Sequence, residues 1–230
     1  MAYAGARQEA QLAELPTPAQ PPRTQRLATM NINSLTALRQ LYATPQPRAI
    51  KKQIAFLDDH CRRFIALSPF LILATSDREY NTDASPRGGE PGFVKLNASG
   101  ELLIPDAPGN NRLDSFENIV ATGKVGLLFL IPGFDETLRV NGTAVLSQSS
   151  IDIAACTTER RAPKLVVRVS VEAAYLHCAK AFMRSKLWEP SSLVDRSLLP
   201  TAGKMISDQT GIAAAAETRE EMARRYAPDL

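Results

Sequence analysis

A mostly antiparallel β-sheet closed into a barrel, with short helices at its flanks, is the fold class this sequence predicts. Three observations predict it. At least six strand-like segments follow one another at hairpin-like spacing between residues 70 and 175. Between them lies a single short helical segment, so the helices of about 10–15 residues that alternate with strands in a doubly wound fold are missing. No GxGxxG follows a strand and no GxxxxGK[ST] occurs, which removes the usual dinucleotide and P-loop sites. The 230-residue chain is 44% apolar and 22% charged, enough to bury a core.

The elements follow in order. Residues 1–29 form a Pro-rich arm, with Pro16, Pro18, Pro21 and Pro22 among Ala, Gln and Thr, a composition that favours extended chain. It lacks the apolar run of a secretory leader. Ser34 caps a short helix over Leu35 to Tyr42, ended by Thr44-Pro45-Gln46-Pro47. Beyond Arg48, Ile50, Ile54, Leu57, Cys61 and Phe64 recur at three- and four-residue steps and predict one helix with a buried stripe. Cys61 falls in the core and its neighbour His60 on the surface.

Phe70 to Thr75 is an apolar strand, and the polar stretch Ser76 to Gly92 then connects it to Phe93 to Leu96. Asn97 to Gly100 turns the chain into Glu101 to Pro105. A helical segment covers Leu113 to Ala121, followed by strands over Lys124 to Ile131, Thr137 to Leu146 and Leu165 to Tyr175. The region between Leu146 and Pro163 reads as irregular. Helices follow over Ala179 to Leu187 and Ile212 to Tyr226. These readings place one domain over 30–210, with a C-terminal helical segment over 211–230.

Composition excludes several classes of function. The 27 Lys and Arg against 24 Asp and Glu leave only +3, without the basic excess of a nucleic-acid binder. No apolar run reaches the length of about 18 residues that a membrane helix needs. Cys61, Cys156 and Cys178 form no CxxC pair, which fits a reducing, cytoplasmic setting and argues against a disulfide framework or a cysteine zinc site. The two histidines, His60 and His177, are too few for most histidine metal sites. Chemistry carried by this chain therefore calls for a borrowed reagent.

Four segments hold the residues that chemistry needs. In Asp83-Ala84-Ser85-Pro86-Arg87-Gly88-Gly89 the paired glycines after an arginine let backbone approach a flat ligand, or simply form a loop between strands. In Ile104 to Ser115, two prolines and Gly109 lead to Asn110-Asn111-Arg112 where a helix begins. Unpaired N–H groups, the dipole end and Arg112 suit a phosphate there; in the alternative, Asn111 caps the helix and Arg112 is solvated. In Glu136 to Gly142, the side chains of Thr137, Arg139 and Asn141 share one strand face, turned to a ligand or to solvent. In His177 to Trp188, Lys180 and Arg184 lie on one helical face with Trp188 continuing it, fit for an anion and an aromatic ring or for a structural tryptophan.

Together these segments resemble the pyridoxamine 5′-phosphate oxidase-like family of FMN-binding split β-barrels. The resemblance covers about residues 34–210. It is carried by SPRGG-x-PGFV at Ser85 to Val94, IPD-x-PGNNR-x-DS at Ile104 to Ser115, VGLLFLIPG-x-x-ETLRVNG at Val125 to Gly142, and C-x-KA-x-x-RS-x-LW at Cys178 to Trp188. It implies an antiparallel, Greek-key split barrel that forms a homodimer with FMN at the subunit interface. It further implies cofactor contacts from Ser85, Arg87, Gly88, Asn111, Arg112, Thr137, Arg139, Lys180, Arg184 and Trp188. The family's Ser-Arg-Lys phosphate loop reads Asn110-Asn111-Arg112 here, and its closing Arg-Leu-x-Pro substrate motif is absent after Trp188. The expected function is an FMN-dependent oxidoreductase acting on a small molecule other than the vitamin, with no resident metal. The alternative is a flavin or haem carrier on the same barrel, with His177 as the axial ligand for haem.

Overall fold

The computed structural model describes residues 31–213 and 217–229, so the arm expected over 1–29 lies outside them. The chain divides into two units, before and after the Pro45–Gln46 bond. The first contributes helix α1 (Leu35–Gln40), where the Ser34 hydroxyl accepts the Ala37 N–H at 3.1 Å as its sequence predicts. All that follows belongs to the second unit.

The helix read from Ile50 to Phe64 is two helices, α2 (Pro47–Lys51) and α3 (Asp59–Leu67). Between them Ile54 makes a two-bond β-bridge: its N–H donates to the Ala174 carbonyl at 3.0 Å and its carbonyl accepts the Ala174 N–H at 2.7 Å. A pairing with distant sequence thus overrides the local period. Leu57, Cys61 and Ile65 still enter the core, whereas Ile50 is exposed. His60 is on the surface, as expected.

Helix α3 restarts at Asp58, whose carboxylate accepts the Cys61 N–H at 2.8 Å. That bond, more than any other influence, holds the Asp58 pKa below the ordinary carboxylate value. We expect Asp58→Ala to cost about 1 kcal/mol at neutral pH, the usual worth of a cap. Because the folded pKa is depressed, the cap contributes fully above the unfolded value and is lost as pH falls through the folded one. Thermal melts of both proteins at neutral and acid pH check this; the gap between them should close in acid.

Seven strands form one curled antiparallel sheet: β1 (Phe70–Ser76), β2 (Thr82–Gly88), β3 (Lys95–Leu96), β4 (Leu102–Pro105), β5 (Lys124–Leu130), β6 (Thr137–Ser147) and β7 (Val166–His177), ordered β2-β1-β5-β6-β7-β4-β3. The predicted strands all form, within a few residues of their expected ends. Strand β2 corrects the reading of 76–92 as a connection. It is polar, so its period is hidden: Asp83, Ser85 and Arg87 are half-buried while Thr82, Ala84, Pro86 and Gly88 are exposed. Its place at the sheet edge accommodates Pro86.

Register sorts the side chains onto two faces. On the inner face a row runs Arg87, Leu71, Phe129, Leu138, Leu176 across five strands. Leu71, Phe129 and Leu138 in it are fully buried. The next row on the outer face runs Pro86, Ile72, Leu128, Arg139, Tyr175. Helix α4 (Asp114–Thr122) packs on β1, β2 and β6 and puts Ile119 into the core. Between β6 and β7 the pairing runs from Thr137↔His177 to Asn141↔Ala173 and resumes at Gly142↔Val171, leaving Glu172 as a bulge.

The segment read as irregular contains helix α5 (Ser150–Cys156), which covers a small satellite core of Leu103, Cys156 and Val166. Its buried Asp152 accepts the Ser147 hydroxyl at 2.6 Å and an Arg168 N–H at 3.3 Å. After β7 come α6 (Lys180–Ser185), α7 (Ala202–Thr210) and α8 (Arg219–Tyr226). Helix α7 is an addition to the predicted elements; of the helix read over Ile212 to Tyr226, residues 214–216 lie outside the described ones and Arg219–Tyr226 form α8, where Thr218 and Glu221 make a reciprocal cap. Among the described residues no helix is long and apolar enough to cross a membrane.

Candidate functional site

A cleft of about 1170 Å³ opens where β2 meets the start of α4. That exceeds the roughly 300–1,000 Å³ of a usual small-molecule site. The chain from Pro105 to Leu113 forms one wall and residues 161, 162, 164 and 165 another, joined by the Asp106 N–H to Leu165 carbonyl bond at 3.0 Å. Phe93, Val120 and Leu146 add apolar surface.

At its floor the polar edge of β2 meets Ser115 of α4. The Ser115 hydroxyl donates to Asp83 at 2.5 Å, accepts from Arg87 Nη2 at 3.2 Å and lies 2.7 Å from the Ser85 hydroxyl. With its own proton given to Asp83, Ser115 presents only lone pairs to Ser85 and Arg87. Arg87 is held further by the Pro86 carbonyl at 2.9 Å and by the Phe116 ring, 5.8 Å from its guanidinium carbon. Burial lowers its pKa from the ordinary value, opposed by the charges of Asp83 and Asp106. The remaining guanidinium donors belong to a residue that lines the cleft.

The loop ahead of α4 is shaped for an acceptor-rich group. Asn111 and Leu113 both have left-handed backbone, at φ 61° and 62°. Leu113 is the N-cap of α4 and no side chain caps the helix, so the alternative in which Asn111 caps it is set aside. The first N–H groups of α4, on Asp114 and Ser115, lack an intrahelical acceptor. Arg112 is exposed and donates to Asp114 from Nε at 2.8 Å and from Nη2 at 3.4 Å. Among the described residues its Nη1 group has no acceptor.

Five of the ten expected contact residues line this cleft: Ser85, Arg87, Gly88, Asn111 and Arg112. The other five do not. Thr137 and Arg139 stand on the outer face of the sheet, opposite the inner-face row that carries Arg87. Trp188 lies beyond α6, not on it, because Lys186 turns left-handed at φ 52° and ends the helix. The indole N–H donates to the Phe134 carbonyl at 2.8 Å and the ring stacks on Phe182 at 5.6 Å, which sets Trp188 beside the turn into β6. Lys180 and Arg184 share α6, next to the end of β7. One chain therefore presents Arg87 and Arg139 on opposite faces of one sheet, with Lys180, Arg184 and Trp188 outside the cleft.

Sequence reasoning missed Asp83, Ser115 and Phe116 as supports of Arg87, and Arg161 and Lys164 as cleft walls. The available signal was the two-residue period of Asp83, Ser85 and Arg87.

No curated protein matches. Among solved structures, HupZ of Group A Streptococcus is similar at 17% identity and TM-score 0.44, over 53% of this chain and 94% of that one. A putative pyridoxamine 5′-phosphate oxidase of Lactobacillus delbrueckii is similar at 20% identity and TM-score 0.41, over 53% and 95%. HutZ of Vibrio cholerae, described as a haem storage protein, is similar at 10% identity and TM-score 0.36, over 53% and 94%. Likeness at that level says nothing of function. A family model described as pyridoxamine 5′-phosphate oxidase matches residues 57–178. That span runs from the Leu57 side chain in the core through the polar floor of the cleft to the end of β7, and by it the chain belongs to the pyridoxamine 5′-phosphate oxidase family.

Proposed function

We propose that this protein is an FMN-dependent oxidoreductase acting on a small molecule, with FMN held between two copies of the chain. The observation that carries the reading is the placement of Arg87, in the cleft, and of Thr137 and Arg139, outside it, on opposite faces of one sheet. Arg87 and Arg139 of a single chain cannot flank one ligand, whereas a cleft of one copy set against the outer face of another gathers both. The outer face suits such a contact, since Phe70, Ile72, Leu128 and Leu130 are half-buried there and take no part in the core.

The residues fit the cofactor. The left-handed Asn111 and Leu113, the open start of α4 and Arg112 suit a terminal phosphate. Ser85, Arg87 and Gly88 line the adjoining floor for the flavin, and the partner copy supplies Thr137, Arg139, Lys180, Arg184 and Trp188. Bound FMN supplies hydride and electron transfer. The protein contributes orientation, exclusion of water and, through Arg87 and Arg139, positive charge where negative charge gathers on reduction.

We expect the protein to purify yellow and to release FMN, not FAD, on heating, because the cleft offers one phosphate grip and the sequence no dinucleotide fingerprint. Mass analysis of the released chromophore decides it. FAD, or no flavin after soaking in FMN, overturns the reading, and a haem Soret band would favour the carrier alternative with exposed His177 as ligand. Turnover of NAD(P)H or another donor by the holoprotein separates an enzyme from a carrier. Light scattering should give a dimer at micromolar concentration; a particle of the 25.1 kDa chain mass contradicts the shared site.

A further inference from the structure

Outside the cleft, three side chains converge on the outer face around one aromatic ring. Arg139 Nη1 donates to the Tyr175 hydroxyl at 3.1 Å, with its guanidinium carbon 5.9 Å from the ring centroid. The Lys52 ammonium lies 5.5 Å from the same centroid and donates to the Leu176 carbonyl at 2.7 Å. The arrangement is built from three pieces of chain. Arg139 and Tyr175 face each other across the β6–β7 pairing, and the bridge of Ile54 to Ala174 pins the segment that follows Lys52.

The hydrogen-bond inventory of this cluster is one-sided. Tyr175 oxygen accepts from Arg139, and among the described residues its own O–H proton has no acceptor. Lys52 uses one of its N–H donors and Arg139 one of its own. Among the described residues neither cation has a carboxylate within ion-pair distance. Two positive charges thus share one ring, with spare donors and no acid to balance them. A group that brings negative charge and several acceptor oxygens complements these donors.

We infer that Lys52, Arg139 and Tyr175 form a binding site for an oxyanion, the phosphate or carboxylate of a small molecule. Lys52 and Tyr175 are new to the candidate site; Arg139 is shared with the proposed flavin contact. The inference stands apart from the flavin reading, because the donors are present whatever fills the cleft. The oxyanion has two sources, the phosphate of the cofactor or the acid group of a separate substrate.

The test is a titration of the full chain with inorganic phosphate at constant ionic strength, followed by amide NMR. The amides of Arg139 and of residues 174–177 should shift and saturate with phosphate and not with chloride. Lys52→Met, at an exposed position, and Tyr175→Phe, which keeps the ring, should each weaken phosphate by about tenfold, the worth of one charge-assisted bond. Arg112→Ala should leave these shifts unchanged. Shifts that match chloride, persist in both variants or vanish with Arg112→Ala overturn the site. Saturating FMN and riboflavin then separate the sources: displacement of phosphate by FMN and not by riboflavin assigns the oxyanion to the cofactor, and displacement by both or by neither assigns it to a second molecule. Flavin binding itself is read from visible absorbance, so its failure is seen separately.

Discussion

Arg112→Ala is expected to bind FMN about ten- to a hundredfold more weakly than the parent, the loss of a charge-assisted grip on a phosphate. The fold should persist. Arg112 is exposed, and its pair with Asp114 lies in water, where such pairs contribute little stability. Its effect is confined to what enters the cleft. Asp114 anchors the guanidinium through Nε and Nη2, and the Nη1 group stands beside the open start of α4. Riboflavin, which lacks the phosphate, should bind parent and variant alike. Lys204→Ala is the charge control: that lysine pairs with Asp208 along α7, away from the cleft. Equilibrium titration with both flavins checks the whole set. Unchanged FMN affinity in Arg112→Ala would move the phosphate grip elsewhere, with Lys180 and Arg184 as the next address.

Gly142→Ala should destabilise the chain by about 3 kcal/mol, at the upper end of overpacking costs. A Cβ at Gly142 would fall 2.1 Å from the Ser170 carbonyl oxygen and 3.1 Å from its carbon. Both are backbone atoms and cannot swing aside. Strand β6 is hydrogen-bonded to β5 on one side and β7 on the other, so relief in one direction strains the other pairing. Urea unfolding measures the loss. Gly203 is the control: a Cβ there meets nothing within 4 Å, and in helix α7 alanine is the better residue. Parent-like stability in Gly142→Ala would show that β6 and β7 part at little cost.

Much of this architecture is legible in the sequence because its strands announce themselves chemically. The apolar runs at Phe70, Lys124 and Leu165 become β1, β5 and β7, and the Pro-Gly-Asn-Asn stretch becomes the shaped loop before α4. Strand β2 escaped because both of its faces are polar or small, so no change of hydropathy marks its period. Helix α5 escaped for a related reason: it buries only Asp152 and Cys156, against a satellite core of a few residues, and leaves Ile151 exposed. The break between α2 and α3 depends on a hydrogen-bonding partner at residue 174, which a local period does not encode. In the candidate site, the four motifs identified which residues to watch but not which side of the sheet each would face. Faces follow from register, and register is a property of paired strands.

The bulge at Glu172 has a consequence of parity. Up to Val171, odd-numbered residues of β7 turn inward: Val167 and Val169 are buried, and Val171 packs on the same core. After the one unmatched residue the rule inverts, so the even-numbered Ala174 faces the core and the odd-numbered Tyr175 stands beside Arg139. Removing Glu172 would let Ala173 follow Val171 directly, an unbroken alternation that keeps Ala174 inward and Tyr175 outward in the register they already hold. Removing a second residue would interchange the faces beyond that point, driving a phenol inward and an alanine outward. For related chains, residue count along this strand is thus as informative as residue identity: a strand one residue shorter keeps its faces by losing the bulge, and one two residues shorter interchanges them.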